Sequence, residues 1–214
     1  MKKIILVLFL FLSCYIIYQS TEDKTLSCLV IGDTIADNKY LSNNNLITKY
    51  NNQYINKDYR LIDLINIIKY NEEQEIDGKK ISIHRLMKTT DILIISIGMN
   101  DIYYKLNDDT KNIYTYINDM VNNMEILLEE INKYNYQKVI ILGYYNTTNK
   151  HNDLFTYLNY KMKRITNKYH YQYLELNNII KNNSNFLKNP NNFILNDQGY
   201  QEISKIIVEN LKNN

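Results

Sequence analysis

The chain has 214 residues, 45% apolar and 22% charged, which fits one globular α/β domain and excludes a wholly disordered chain. The formal net charge is +2, from 25 Lys and Arg against 23 Asp and Glu, so no electrostatic case for nucleic-acid binding exists. Two cysteines, Cys14 and Cys28, make neither a disulfide framework nor a zinc site.

In chain order, Lys2 and Lys3 precede an apolar run from Ile4 to Leu12, and Tyr15, Ile16, Ile17 and Tyr18 extend it past Ser13 and Cys14. This is a targeting or anchoring segment. A cleaved signal peptide needs a small-x-small site, and none is clear. A lipoprotein signal would lipidate Cys14, but Phe11-Leu12-Ser13-Cys14 matches that pattern poorly. As a helix, residues 4–18 span about 22 Å against a hydrocarbon core of ~30 Å. Snorkelling Lys2 and Lys3 and interfacial Tyr15 and Tyr18 shorten the deficit. The sequence therefore predicts a membrane anchor over residues 1–20, with Cys14 lipidation as the runner-up, and a domain over 21–214. The basic end stays in the cytoplasm, which puts the domain on the extracytoplasmic face.

Residues 26–31 (LSCLVI) form a short apolar run ended by Gly32 and read as a buried strand, with Cys28 a core residue. A weak second strand is expected near 53–56. Leu61, Leu64, Ile65 and Ile68 fall at helical spacing within 60–70. A short helix over 83–88 leads to the clearest strand, 91–97 (DILIISI), which stops at Gly98. A long amphipathic helix follows over 113–134, then a strand over 138–142, a helix over 153–167, a strand over 171–176 and a closing helix over 198–211. Alternating apolar strands and helices predict a three-layer α/β/α, flavodoxin-like domain with a roughly five-stranded parallel sheet. No Gly-x-Gly-x-x-Gly, Walker A or Gly-x-Ser-x-Gly pattern is present, so no cofactor and no metal is expected. Asn makes up about one residue in six, and with 21 Tyr this reads as AT-rich base composition.

In a chain with five Gly, Gly32 and Gly98 each close an apolar strand. Ligands of open α/β sheets bind outside the carboxyl ends of strands, so Asp33-Thr34 and Gly98-Met99-Asn100-Asp101 are expected on a functional rim. Ordinary turn chemistry explains either segment alone. Together with Asn196-Asp197-Gln198-Gly199-Tyr200 before the last helix, and in this order, the three segments resemble the SGNH hydrolase superfamily, the GDSL esterases and lipases. The resemblance implies a parallel-sheet domain that hydrolyses esters or removes acyl groups. It also implies a Ser nucleophile after Gly-Asp, a closing His base oriented by an Asp, and an Asn in the oxyanion hole.

Carried over residue by residue, the nucleophile position is Thr34 and the oxyanion position is Asn100. The base position is Ile194, and the acid position is Asn191, or Asn192 at one shorter spacing. The second-block Gly falls near Asp58. Thr34 keeps a hydroxyl crowded by its methyl group. Ile194 accepts no proton, and a carboxylate at Asp58 beside a developing oxyanion raises the barrier. Losing nucleophile or base alone costs such triads on the order of 10⁶ in turnover. Of His84, His151 and His170, only His151 follows a strand on the carboxyl-end side. Tyr103-Tyr104 and Tyr144-Tyr145 read as packing.

The expected function is a membrane-tethered, catalytically degenerate esterase fold whose rim, with Asp33, Gly98 and Asp101 as binding residues, takes an acyl, glycan or protein ligand. The alternatives are an active esterase using Thr34 with a non-standard base, and an unrelated doubly wound binding domain.

Overall fold

A computed structural model of the chain describes residues 26–32, 51–56, 59–76, 78–108, 111–146, 151–181, 183–188 and 193–212. The apolar run at the start becomes β1 (Ser27–Gly32), in which Cys28, Leu29, Val30 and Ile31 are at most 2% exposed. Burial pushes the Cys28 thiol up to about 12, so this cysteine is a packed core group. β1 lies between β2 (Asn51–Asn56) and β5 (Ile92–Ser96), and β6 (Lys138–Leu142) and β7 (Gln172–Leu174) extend the sheet. The order is β2-β1-β5-β6-β7 and every pair is parallel. Taken alone in chain order, these five strands run 2-1-3-4-5, the flavodoxin-like arrangement expected from the sequence. Every residue of β5 is buried, and neighbouring side chains on a strand point to opposite faces, so both faces of the sheet are covered.

Helices α1 (Leu61–Lys69), α4 (Ile113–Ile131) and α5 (Asn152–Lys168) pack side by side as one layer. The stripe Ile117, Met120, Val121, Met124, Leu127, Leu128 and Ile131 gives α4 its buried face. The closing helix α7 (Asp197–Lys212) buries Ile203, Ile207, Val208 and Leu211. It is tied to the amino ends of β6 and β7 where Lys138 Nζ donates to the Asn210 carbonyl and Gln172 donates to the Asn210 side chain.

Four features depart from the expectation. A two-stranded antiparallel hairpin, β3 (Glu73–Ile76) and β4 (Lys79–Ser82), precedes the short helix α2 (Ile83–Lys88). Its strands are mostly polar and bury only Gln74 and Ile76, so no apolar run marks them. Helix α3 (Met99–Asp108) starts directly after Gly98 and holds the core through buried Met99 and Ile102. A five-residue helix α6 (Asn177–Lys181) follows β7. Finally, α4 stops at Ile131 and β7 covers only three residues, both shorter than their apolar patterns.

Two helix ends close without glycine. After α1, Asn71 N–H donates to the Ile68 carbonyl (3.2 Å) and Glu72 N–H to the Ile67 carbonyl (3.0 Å), with Asn71 at φ 54°. After α5, His170 N–H donates to the Asn167 carbonyl (3.1 Å) and Tyr171 N–H to the Thr166 carbonyl (3.4 Å), with His170 at φ 58°. Both are Schellman closures with a left-handed residue where glycine is usual. No helix among the described residues is long and apolar enough to cross a membrane. The expected anchor and Cys14 lie outside the described residues.

Candidate active-site rim

The chain reverses direction across the sheet between β1 and β5, so a crevice is expected at the carboxyl ends of these two strands. Gly32, the last residue of β1, is in register with Ser96 of β5. A Cβ on Gly32 would sit 2.4 Å from the Ser96 carbonyl oxygen, so only glycine lets the two strands end this close. Gly98 has φ +99°, and a Cβ there would lie 2.7 Å from the Tyr144 Oη. The Gly98 carbonyl accepts the Ile102 N–H (3.2 Å) and starts α3. Asn100 and Asp101 thereby occupy the first turn of α3 at the carboxyl end of the central strand. Of the other expected site residues, Asp33, Thr34, Asp58, Asn191 and Asn192 lie outside the described residues.

Asp101 faces inward. The residue is 4% exposed, and its Oδ2 accepts the Leu61 N–H at the start of α1 (2.9 Å). Its Oδ1 lies 3.5 Å from Arg60 Nε, and its backbone carbonyl accepts the Tyr116 hydroxyl (3.2 Å). Arg60 also donates to the Tyr116 hydroxyl (3.4 Å), and its guanidinium lies over the Tyr104 ring, 5.8 Å from the centroid. Burial raises the Asp101 pKa, against the lowering pull of the Leu61 N–H and of Arg60. Asp101 thus ties the segment after β2 to the turn after β5. Arg60 and Tyr116 escaped the sequence reading. The one sequence signal was the Arg60–Asp63 spacing, since Asp63 Oδ2 accepts the Arg60 N–H (2.9 Å).

The tyrosine pairs divide. Tyr144 and Tyr145 are 1% exposed and pack in the core, as the sequence suggested, whereas Tyr104 is 65% exposed beneath Arg60. Tyr145 also donates to the Phe193 carbonyl (2.8 Å), and Tyr103 meets the Phe193 ring edge-on at 4.6 Å. These contacts pin the closing segment to the stretch after β6 and to α3, the helix that carries Asn100. The segment is held from behind as well. Lys188 N–H donates to the Ile194 carbonyl (2.9 Å), and Leu187 bridges Leu195. Asn196 caps α7 by accepting the Gly199 N–H (3.1 Å) while its amide donates to the Leu187 carbonyl (3.3 Å). The structure therefore packs Phe193, the neighbour of Ile194, against α3, and leaves Ile194 39% exposed.

The histidines sort by end of the sheet. His151, at φ 85°, begins α5 on the carboxyl side and lines a groove of about 460 Å³ with Leu106, Ile113, Tyr114 and Asp153. His84 donates from Nε2 to the Ile68 carbonyl (2.7 Å), and His170 lies just before β7. Among the described residues no three His, Cys, Asp or Glu side chains converge as a metal site.

Neither a family model nor a curated protein matches the sequence. Solved structures do match. An α/β hydrolase enzyme from the metagenome of Lake Arreo, Spain, superposes with a TM-score of 0.63 at 14% identity, over 88% of this chain and 97% of that one. An acetylxylan esterase from Geobacillus stearothermophilus gives 0.63 at 12% identity, over 88% and 95%. A GDSL-like lipase from Parabacteroides merdae gives 0.59 at 13% identity, over 87% and 95%. The chain has the fold of these esterase and lipase structures, the SGNH hydrolase fold.

Proposed function

We propose that the chain is a membrane-tethered, extracytoplasmic esterase-fold domain that has lost hydrolysis and retains its rim as a binding surface for an acyl, glycan or protein ligand. The observation that carries this reading is Ile194. Its side chain is 39% exposed, its neighbour Phe193 packs on the helix of Asn100, and it has no atom that can take a proton, which supports the reading. A triad hydrolase needs a base within hydrogen-bond reach of its nucleophile, and a hydrocarbon at that position removes general-base catalysis outright. Thr34 and Ile194 stand at the positions of the family's nucleophile and base and Asn191 at that of the carboxylate that orients the base, whereas Gly32, Gly98 and Asp101 support the frame. The Lys2-Lys3 start and the apolar residues 4–18 support the tether and its orientation.

A second reading, an active esterase in which His151 serves Thr34, is favoured by the place of His151 on a groove at the same end of the sheet. Hydrolysis of a short-chain activated ester by the detergent-solubilised full chain separates the two. Wild type and Thr34→Ala are both expected at the buffer blank. Turnover by wild type that Thr34→Ala abolishes would sink the degenerate reading, and loss of the same turnover in His151→Ala would establish the second. A triple variant, Thr34→Ser with Asn191→Asp and Ile194→His, is expected to gain hydrolysis on this frame.

A further inference from the structure

We propose that a separate binding site, for a neutral sugar, lies in the groove where α3, α4 and α5 meet at the carboxyl end of the sheet. The inference rests on the reading above, in which this end of the domain binds a ligand, and adds to it a place and a chemical class.

Helix α4 leaves the carboxyl end of the sheet to reach β6, and α5 leaves the same end to reach β7. Leu106 follows Asn100 along α3 by a rise of about 9 Å. Leu106, Ile113, Tyr114, His151, Asn152 and Asp153 line the groove between the three helices. Its volume of about 460 Å³ falls within the range of ~300–1,000 Å³ that small-molecule sites occupy.

Two features of the groove are prepared for a ligand. The first is an aromatic platform. Tyr114 is 54% exposed, and its ring meets the Tyr157 ring edge-on at 5.5 Å. Tyr157 is itself held, because its hydroxyl donates to Asn118 Oδ1 (3.2 Å) and Lys161 Nζ lies 5.2 Å from its ring centroid. An exposed ring braced from behind offers flat apolar area at low entropic cost. The second feature is an oriented amide. Asn146, 4% exposed, donates its N–H to Asn177 Oδ1 (2.8 Å) and its side-chain amide to Asn152 Oδ1 (2.9 Å). That bond occupies the Asn152 oxygen and leaves Asn152 Nδ2 as a donor. Beside it, the Asp153 carboxylate and the His151 ring make no hydrogen bond to a described residue.

This set of groups selects the ligand. A sugar ring carries C–H groups on its faces and hydroxyls around its edge, and each hydroxyl both donates and accepts. Tyr114 matches a face, Asn152 donates, Asp153 accepts, and His151 does either. An acyl chain would strip these polar groups of water without replacing their hydrogen bonds. An acidic ligand would meet the Asp153 charge, and no Lys or Arg stands among the described lining residues to offset it.

The test probes the detergent-solubilised full chain on an array of neutral glycans and their uronic-acid counterparts. Binding to at least one neutral glycan is expected. It should fall about tenfold or more in Tyr114→Ala and stay within about twofold of wild type in Tyr114→Phe, which keeps the ring. Tyr114 is exposed, so both variants are expected to unfold in urea with wild type. Neutral-glycan binding that Tyr114→Ala leaves intact overturns the groove and leaves the carboxyl end standing as a binding surface. An array on which no neutral glycan binds overturns the sugar. Self-association of the wild type that Tyr114→Ala abolishes, with no glycan bound, makes the groove a contact between copies and overturns the sugar as its occupant. Ester turnover in the assay above overturns the degenerate reading by itself, so the two failures are distinguishable.

Discussion

Asp101 is the most informative single perturbation, because its carboxylate has two separable roles. As an acceptor it holds the Leu61 N–H at 2.9 Å and so starts α1. As a charge it sits buried at 4% exposure, with Arg60 Nε at 3.5 Å as its cationic partner. Asp101→Ala removes both roles and leaves the Leu61 N–H buried without a partner, which costs about 1–3 kcal/mol. Asp101→Asn keeps an acceptor at the same place and removes only the charge. Because burial is the leading influence on this group and raises its pKa above the ordinary 3.8, the ionised form is disfavoured by the fold. The Asn variant is therefore expected within about 1 kcal/mol of wild type at pH 7. The pH dependence follows in sign. The folded chain holds the Asp101 proton more tightly than the unfolded chain does. Its contribution is complete below pH 3.8 and is lost as pH rises through the raised value. The difference between Asn and wild type should accordingly move in favour of Asn as pH rises from about 4 to 7. Urea unfolding of the three proteins across that range is the assay. An Asn variant as unstable as the Ala variant at pH 7 would refute the reasoning, because it would make the charge, not the acceptor, the stabilising feature.

Three other outcomes are expected from unfolding measurements. Gly98→Ala should lose more than ~2 kcal/mol, since it adds a methyl group 2.7 Å from the Tyr144 hydroxyl at a φ of +99°; a loss under half of that would mean that the Tyr144 ring gives way. His170→Gly should gain about 0.5–1 kcal/mol by relieving a left-handed residue at the end of α5, and a destabilised variant would show that the imidazole makes a compensating contact. Asn159→Leu should lose about 3 kcal/mol or more, because Asn159 accepts the Tyr144 N–H (2.9 Å) and donates to the Tyr144 and Phe155 carbonyls (2.9 Å each) from a site 4% exposed; wild-type stability would deny that network its structural role.

The sheet was legible because its strands are apolar without interruption, a pattern that a fully buried parallel strand requires and that few other elements produce. Residues 28–31 and 92–95 are nearly inaccessible along their whole length, on both faces. The hairpin at Glu73–Ser82 was not legible for the converse reason, since its residues earn almost no burial and its pairing is a matter of backbone geometry around Gly78 at φ +72°. Helix α3 hid behind its own first turn. The Gly98-Met99-Asn100-Asp101 segment reads as a loop motif, while Met99 and Ile102 give only a brief apolar stripe.

At the rim the distinction runs between backbone and side chain. The contacts that fix the closing segment use the carbonyls of Phe193 and Ile194 and the side chain of Asn196. None of them needs a particular side chain at position 194. A residue whose backbone is held while its side chain reaches solvent changes identity at little cost to the fold. The same separation explains why Gly32 and Gly98 cannot drift. A Cβ at either would strike a neighbouring strand carbonyl or the Tyr144 hydroxyl, whatever chemistry the rim performs. Frame residues and the side chain at position 194 are thus under different physical constraints.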